Sequence, residues 1–218
     1  MRFDEAVRRL RTLPDPLPDA PEALIPVFAG SGAPRPRPSW GEADSTARPA
    51  AVLVLLYPDA DGIARLVLTE RVDRGGHHSG EVSFPGGRAE PGDADIAATA
   101  LREAAEEVGL DPAQAGIRVL GTLSMQWVPV SNFTVTPVIA VAERRPLMSP
   151  QATEVASILE PPVAAFLPDG PLVRVRRVIR GWDLEYSAYP VDGLNVWGMT
   201  AKVLGGLGAW LGRQDDEA

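Results

Sequence analysis

Residues 86–110 read GGRAEPGDADIAATALREAAEEVGL. A glycine pair opens a loop that carries Glu90 and Asp93. An Ala-rich stretch of helical character follows, runs into Arg102-Glu103-Ala104-Ala105-Glu106-Glu107 and stops at Gly109. With 3.6 residues per helical turn, Glu103 and Glu107 fall one turn apart on one face, and Arg102 and Glu106 repeat that spacing on an adjoining stripe. Ala100, Leu101, Ala104, Ala105 and Val108 supply a small, apolar face for a core. Glu103, Glu106 and Glu107 repel one another unless a positive charge compensates. Oxygen ligands on a rigid helix suit Mg²⁺ or Mn²⁺, which take a few carboxylates together with substrate phosphate oxygens. A bare charge run of this kind also describes a solvated helix face. The glycine loop at fixed spacing upstream favours the metal-binding reading, because glycine lets backbone amides approach a phosphate closely.

Gly87, five residues, Asp93 and then Arg102 to Leu110 resemble the Nudix box, whose pattern is G-x5-E-x7-R-E-U-x-E-E-x-G-U with U a bulky apolar residue. Asp93 stands where the pattern has Glu, eight residues rather than seven separate it from Arg102, and Ala104 is small for its position. The extra residue resembles the coenzyme A pyrophosphatase branch. The stretch Val67-Leu68-Thr69-Glu70-Arg71, leading to Gly80 and Phe84-Pro85-Gly86-Gly87, is similar to that branch's upstream signature, with Val72 and Gly76 departing from it. Gly76 replaces an arginine of the signature.

The resemblance implies an α+β fold, a Nudix-type α/β/α sandwich with a mixed β-sheet. An N-terminal helix and proline-rich arm (residues 1–48) are expected to precede the domain (residues 49–213), with residues 214–218 expected to be a charged, disordered tail. It implies hydrolysis of a pyrophosphate bond with Mg²⁺ or Mn²⁺ as cofactor, the substrate being coenzyme A or acyl-CoA and the products 3′,5′-ADP and 4′-phosphopantetheine. Other nucleoside diphosphate derivatives, such as ADP-ribose or NADH, and a non-catalytic nucleotide-binding domain are the competing readings. Glu103 and Glu107 are the expected metal ligands. Glu106 either joins them or is held by Arg102 as an orienting salt bridge. The general base is Glu154 or Glu106, and Glu154 could equally be a surface helix cap. Arg71, His78, Gly80, Phe84, Gly86 and Gly87 are the expected substrate contacts.

The rest of the composition narrows the class. The chain has no cysteine, which excludes disulfides, thiolate zinc sites and cysteine nucleophiles. A formal charge of −8 argues against a nucleic-acid partner. No apolar run reaches the roughly 18 residues of a membrane span, and MRFDEAVRRLRTL lacks the apolar core of a signal peptide, so a cytoplasmic protein without a membrane partner is expected. A small nucleotide is the expected partner, with a homodimer if the arm wraps a neighbouring subunit.

Along the chain, Phe3, Val7, Leu10 and Leu13 recur at helical spacing, and Pro14, Pro16 and Pro18 end that helix. Proline-rich sequence, including PRPRPSW at Pro34 to Trp40, reads as an extended arm. AAVLVLLY at Ala50 to Tyr57 is a continuous apolar run and predicts a buried strand, with residues 64–71 as its hairpin partner. Residues 118–126 and 133–142 predict two further strands, joined by a turn at residues 127–132 in which Trp127 reads as a wedge rather than a stacking surface. Glu154-Val155 predicts a short helical segment, and residues 161–166 a turn and helix. Residues 172–178 and 182–189 predict a hairpin, and residues 195–211 a closing helix with Trp197 as core anchor. His77 and His78, the only histidines, fall in a glycine-rich loop and make a poor zinc site.

Overall fold

A computed structural model describes residues 1–33, 46–72, 80–128, 131–179 and 181–213. Its elements in chain order are α1 (Phe3–Leu10), β1 (Val27–Phe28), β2 (Arg48–Pro58), β3 (Ala64–Leu66), β4 (Leu68–Arg71), β5 (Val82–Ser83), β6 (Gly86–Arg88) and α2 (Ile96–Val108). They continue with α3 (Pro112–Ala115), β7 (Arg118–Thr122), β8 (Gln126–Val128), β9 (Phe133–Val141), β10 (Val155–Leu159), β11 (Val173–Ile179), β12 (Trp182–Val191), β13 (Leu194–Val196) and α4 (Gly198–Leu211).

The apolar run of β2 is buried on both faces, and strand alternation divides it between two cores. Ala51, Leu53, Leu55 and Tyr57, with Val138 and Ala140 of β9, pack against Ala100, Ala104 and Val108 of α2. Ala50, Val52, Val54 and Leu56, with Val135, Ile139 and Val141, face Ala6 and Leu10 of α1 and Leu204 and Leu207 of α4. Each fully buried Leu or Val contributes about 1.5–3 kcal/mol, so a polar residue at any of these positions would be costly. The sheet order is β3-β2-β9-β7, with β6 added to β2 and β8 to β9. β2 and β9 are parallel, and the other pairs are antiparallel. Helices on both faces of this mixed sheet give the α/β/α sandwich of the sequence reading. Asp95 caps α2 by accepting from the Ala98 N–H at 2.8 Å, and Gly109, at φ +65°, ends it in the left-handed conformation that glycine adopts freely.

Several expected elements differ. The segment after Glu154 is a strand, β10, antiparallel to β4. An open edge of β4 pairs its backbone, and Val155 and Leu159 are buried there. Residues 64–71 do not form one hairpin arm. β3 pairs with β2, whereas β4 leaves for a separate sheet of order β10-β4-β5. Leu66, Val67, Leu68 and Thr69 are consequently all buried, because the chain crosses between two packed layers. The strand predicted over residues 118–126 ends at Thr122, and Trp127 belongs to β8, not to a turn. The closing helix starts only at Gly198, after β13. Trp197 is half-buried and stacks on Tyr186 with ring centroids 5.1 Å apart. The predicted hairpin of residues 172–189 is present as β11 and β12. The described part of the arm adds β1 to β12 and buries Leu24. The PRPRPSW run and the tail at residues 214–218 lie outside the described residues. No described helix is long and apolar enough to cross a membrane.

Between β10 and the residues that follow β9, Arg145 forms a two-pronged pair with Glu160, at 2.8 Å through Nε and 2.6 Å through Nη2. The Tyr57 hydroxyl also donates to Glu160. Burial pushes the Glu160 carboxyl up, but the hydrogen bonds from Arg145 and Tyr57 outweigh it and hold the pKa below the usual carboxylate value. A depressed carboxyl contributes stability above its unfolded pKa of about 4.3 and loses it as pH falls through the folded value. Glu160→Gln is therefore expected to cost about 1 kcal/mol in urea unfolding at pH 7, with the gap to wild type closing below about pH 4.

Candidate functional site

β6 runs antiparallel beside β2, Gly86 opposite Val52 and Gly87 opposite Ala51. The two glycines bring three layers of backbone and side chain into contact. A Cβ at Gly86 would lie 2.6 Å from the Val52 Cα, and one at Gly87 would lie 2.5 Å from the Glu103 carboxylate carbon. With no side chains there, α2 lays Glu103 and Glu107 against the loop backbone.

The Gly86 N–H donates to Glu107 Oε2 at 3.0 Å. Glu107 is only 4% exposed, and the Arg71 Nη1 stands 3.7 Å from its Oε1. Burial pushes the Glu107 pKa up to about 7, opposed by the Gly86 N–H and Arg71 and reinforced by the negative charges of Glu103 and Glu154. The Glu103 pKa is also raised, chiefly by burial; Arg102 opposes the shift, and Glu106 and Glu154 add to it. Two carboxylates thus share a low-dielectric spot in which Arg102, Arg71 and the Gly86 N–H offset only part of the cost of burial.

Arg102 organises the neighbouring stripe. Its Nε donates to Asp93 Oδ1 at 2.9 Å, its Nη2 to Asp93 Oδ2 at 3.2 Å and to the Arg88 carbonyl at 2.8 Å. Its Nη1 lies 3.1 Å from Glu103 Oε1 and 3.2 Å from Glu106 Oε2. Asp93 also accepts from Thr99 Oγ1 at 2.8 Å and from the Glu90 N–H at 2.9 Å. The Arg102 guanidinium, with these donors, holds the Asp93 carboxyl well below the usual carboxylate range. Arg102 thus ties loop to helix, together with the Thr99 hydroxyl on Asp93 and the Gly86 N–H on Glu107. The sequence suggests Glu106 as one possible partner of Arg102 and does not show Asp93 as its main anchor; the only signal is an acid just ahead of the helix.

Glu154 occupies an exposed turn immediately before β10. That turn is tied to the end of α2, since Ser149 N–H donates to the Val108 carbonyl at 2.9 Å and Gln151 N–H to the Glu107 carbonyl at 2.8 Å. It is joined to the end of β4 by the Val72 N–H donating to the Glu154 carbonyl at 2.9 Å. Its charge consequently reaches both buried glutamates. Gly80 is exposed and donates its N–H to the Arg71 carbonyl at 3.1 Å. Phe84 corrects the sequence reading: it is 1% exposed and packs in the core, so its ring is a wedge under the loop and not a substrate contact. His78 and Gly76 lie outside the described residues.

Oxygen donors alone, two buried carboxylates whose burial is only partly offset, and glycines whose Cβ would collide with Glu103 or with the β2 backbone fit a hard divalent cation such as Mg²⁺ or Mn²⁺. Glu103 and Glu107 could hold it, with water and phosphate oxygens in the remaining positions. Among the described residues no group of three His, Cys, Asp or Glu is gathered for metal binding. Glu106, 59% exposed at its side chain, sits on Arg102, which is the salt-bridge alternative of the sequence reading.

The two glycines predict different failures. In Gly87→Ala the Glu103 carboxylate, the tip of a flexible side chain, swings aside: turnover is expected to drop at least about tenfold with little change in melting temperature. In Gly86→Ala the clash is with backbone, and a loss of roughly 1–3 kcal/mol in unfolding free energy is expected. Thermal melts paired with rate measurements on both variants check the contrast.

A family model described as the NUDIX domain matches residues 47–160. The chain is similar to the mitochondrial Nudix hydrolase 15 of Arabidopsis thaliana, 35% identical over 161 residues, which cover 71% of this chain and 55% of that protein. It is also similar to the uncharacterized Nudix hydrolase NudL of Citrobacter koseri, 37% identical over 170 residues, which cover 76% of this chain and 83% of that protein. The chain therefore spans about half the length of the plant relatives it matches. Among solved structures, the Nudix hydrolase RenU from M. smegmatis is matched at 25% identity and a TM-score of 0.46, over 55% of this chain and 73% of that one.

Proposed function

We propose, since this chain belongs to the Nudix family, that it hydrolyses the phosphoanhydride of a nucleoside diphosphate derivative, and that the derivative is coenzyme A or acyl-CoA. The observation that carries the hydrolase reading is the buried Glu107 carboxylate, held by the Gly86 N–H beside Glu103. The coenzyme A reading is supported by the eight residues between Asp93 and Arg102 and by the run from Val67 to Gly87.

The reaction is attack of water on one phosphorus, with cleavage of its bond to the bridging oxygen. When bound, Mg²⁺ or Mn²⁺ supplies positive charge to the phosphoryl oxygens and makes water more acidic. Glu103 and Glu107 hold the cation in this reading. The Gly86 N–H fixes one oxygen of Glu107, and Arg102 fixes one of Glu103, so neither carboxylate must be reoriented during the reaction. In this reading Arg71 meets a substrate phosphate, which its 40% side-chain exposure beside Glu107 supports. Glu154 takes the proton of the attacking water, with Glu106 as the alternative base. The bridging oxygen leaves with the second phosphate, giving 3′,5′-ADP and 4′-phosphopantetheine from coenzyme A.

Gly76, where the branch signature has arginine, favours a second reading in which ADP-ribose or NADH is the substrate. A silent nucleotide-binding domain is disfavoured by the intact Arg102, Glu103, Glu106 and Glu107. The test is a panel of coenzyme A, acetyl-CoA, ADP-ribose, NADH and diadenosine polyphosphates with Mg²⁺ or Mn²⁺. The highest kcat/KM is expected on coenzyme A or its thioester. Preference for ADP-ribose or NADH transfers the assignment to the second reading, and no turnover on any member removes the hydrolase. Glu103→Gln and Glu107→Gln are each expected to lower kcat by several powers of ten while melting as cooperatively as wild type.

A further inference from the structure

Trp127 of β8 lies opposite Thr134 of β9, and Thr134 lies opposite Pro49 of β2. Residues paired in this way share one face of a sheet. The next pair, Val128 and Phe133, packs into the core that contains α1 and α4. Trp127 is therefore on the α2 face, the face on which Gly87 meets Glu103. Between them the floor is low and open: Pro49 is exposed, and Thr134 and Thr136 are half-buried. Three strand spacings, about 14 Å in all, separate β8 from β6. A nucleoside diphosphate laid across this floor can place its anhydride at the glutamates and its base near the indole.

The indole is positioned without being used for packing. Trp127 is half-buried, yet it joins neither of the two apolar cores among the described residues. Its Nε1–H donates to Asn132 Oδ1 at 3.1 Å, and the Asn132 side chain in turn donates to Thr46 Oγ1 at 3.0 Å. Asn132 has φ 52°, a conformation uncommon outside glycine. It is held by the Arg48 N–H donating to its carbonyl at 3.0 Å. Asparagine takes this left-handed turn more readily than other side chains do, and here its amide orients a ring that neither apolar core of the described residues includes.

We infer that Trp127 is the stacking platform for the planar base of the substrate, with Asn132 as the positioning residue that fixes the ring. This rests on the reading of the substrate as a nucleoside diphosphate derivative, and it adds where the base is recognised. Every base has a π-face, so the platform favours a nucleoside-bearing anhydride over one without a base.

Calorimetric titration of ADP without metal into the full chain tests it independently of turnover. Trp127→Leu is expected to weaken ADP binding about tenfold, Trp127→Phe to stay within about threefold of wild type, and Asn132→Ala to fall between, all with wild-type melting. KM for the hydrolysed substrate is expected to rise in step while kcat holds. Wild-type affinity in Trp127→Leu, or no ADP binding by the wild type, overturns the inference. If ADP binding depends on Trp127 but no substrate is turned over, the platform stands and the hydrolase assignment falls alone.

Discussion

A carboxylate buried against a backbone amide is the constraint on which this molecule turns. Removing a charged carboxylate from water costs several kcal/mol, and one N–H plus a guanidinium 3.7 Å away offset only part of that for Glu107. The rest of the site maintains the arrangement against this cost. Ala100 and Ala104 let α2 approach the sheet closely, and Gly86 and Gly87 let the loop approach α2. Arg102 fastens loop to helix through Asp93 and the Arg88 carbonyl. A carboxyl kept at a pKa near 7 by burial, beside a single backbone N–H donor, is the kind of group at which chemistry concentrates in proteins.

The sheet arrangement explains how distant parts of the chain reach that carboxylate. The chain leaves the large sheet after β3 and enters the small one as β4, which carries Arg71 to the Glu107 side. β10 pairs with β4 and sets the turn before it, with Glu154, against the C-terminal end of α2. Residues 71, 86, 107 and 154 converge because two small antiparallel pairings, β4 with β10 and β6 with β2, bracket one helix. Continuous burial along β2 makes that bracket rigid, since every side chain from Ala50 to Tyr57 is fixed on one face or the other.

Much of this was legible in the sequence where the signal was local. The helix over residues 96–108, its stop at Gly109 and the paired faces of Glu103 and Glu107 follow from helical spacing, and the apolar run of β2 announces a strand buried on both sides. What could not be read depends on partners far along the chain. Glu154-Val155 has helix-compatible residues, yet the unpaired edge of β4 makes it a strand. Phe84 sits in a motif that suggests the substrate, but its ring fills a hollow under the loop. Arg102 looked like the partner of Glu106 because i,i+4 spacing is visible, whereas its bonds to Asp93 and Arg88 depend on how the loop folds back. Trp127 stands in the stretch expected to be a turn between two strands, and only the register with Thr134 shows which face the ring occupies.

Mn²⁺ binding followed by electron paramagnetic resonance tests the central claim most directly, because free and bound Mn²⁺ differ in signal without any substrate present. Saturable binding by the wild-type chain is expected, lost or weakened at least about tenfold in both Glu103→Gln and Glu107→Gln, with Glu106→Gln affected less. Undiminished Mn²⁺ binding in the Glu107→Gln variant would contradict it.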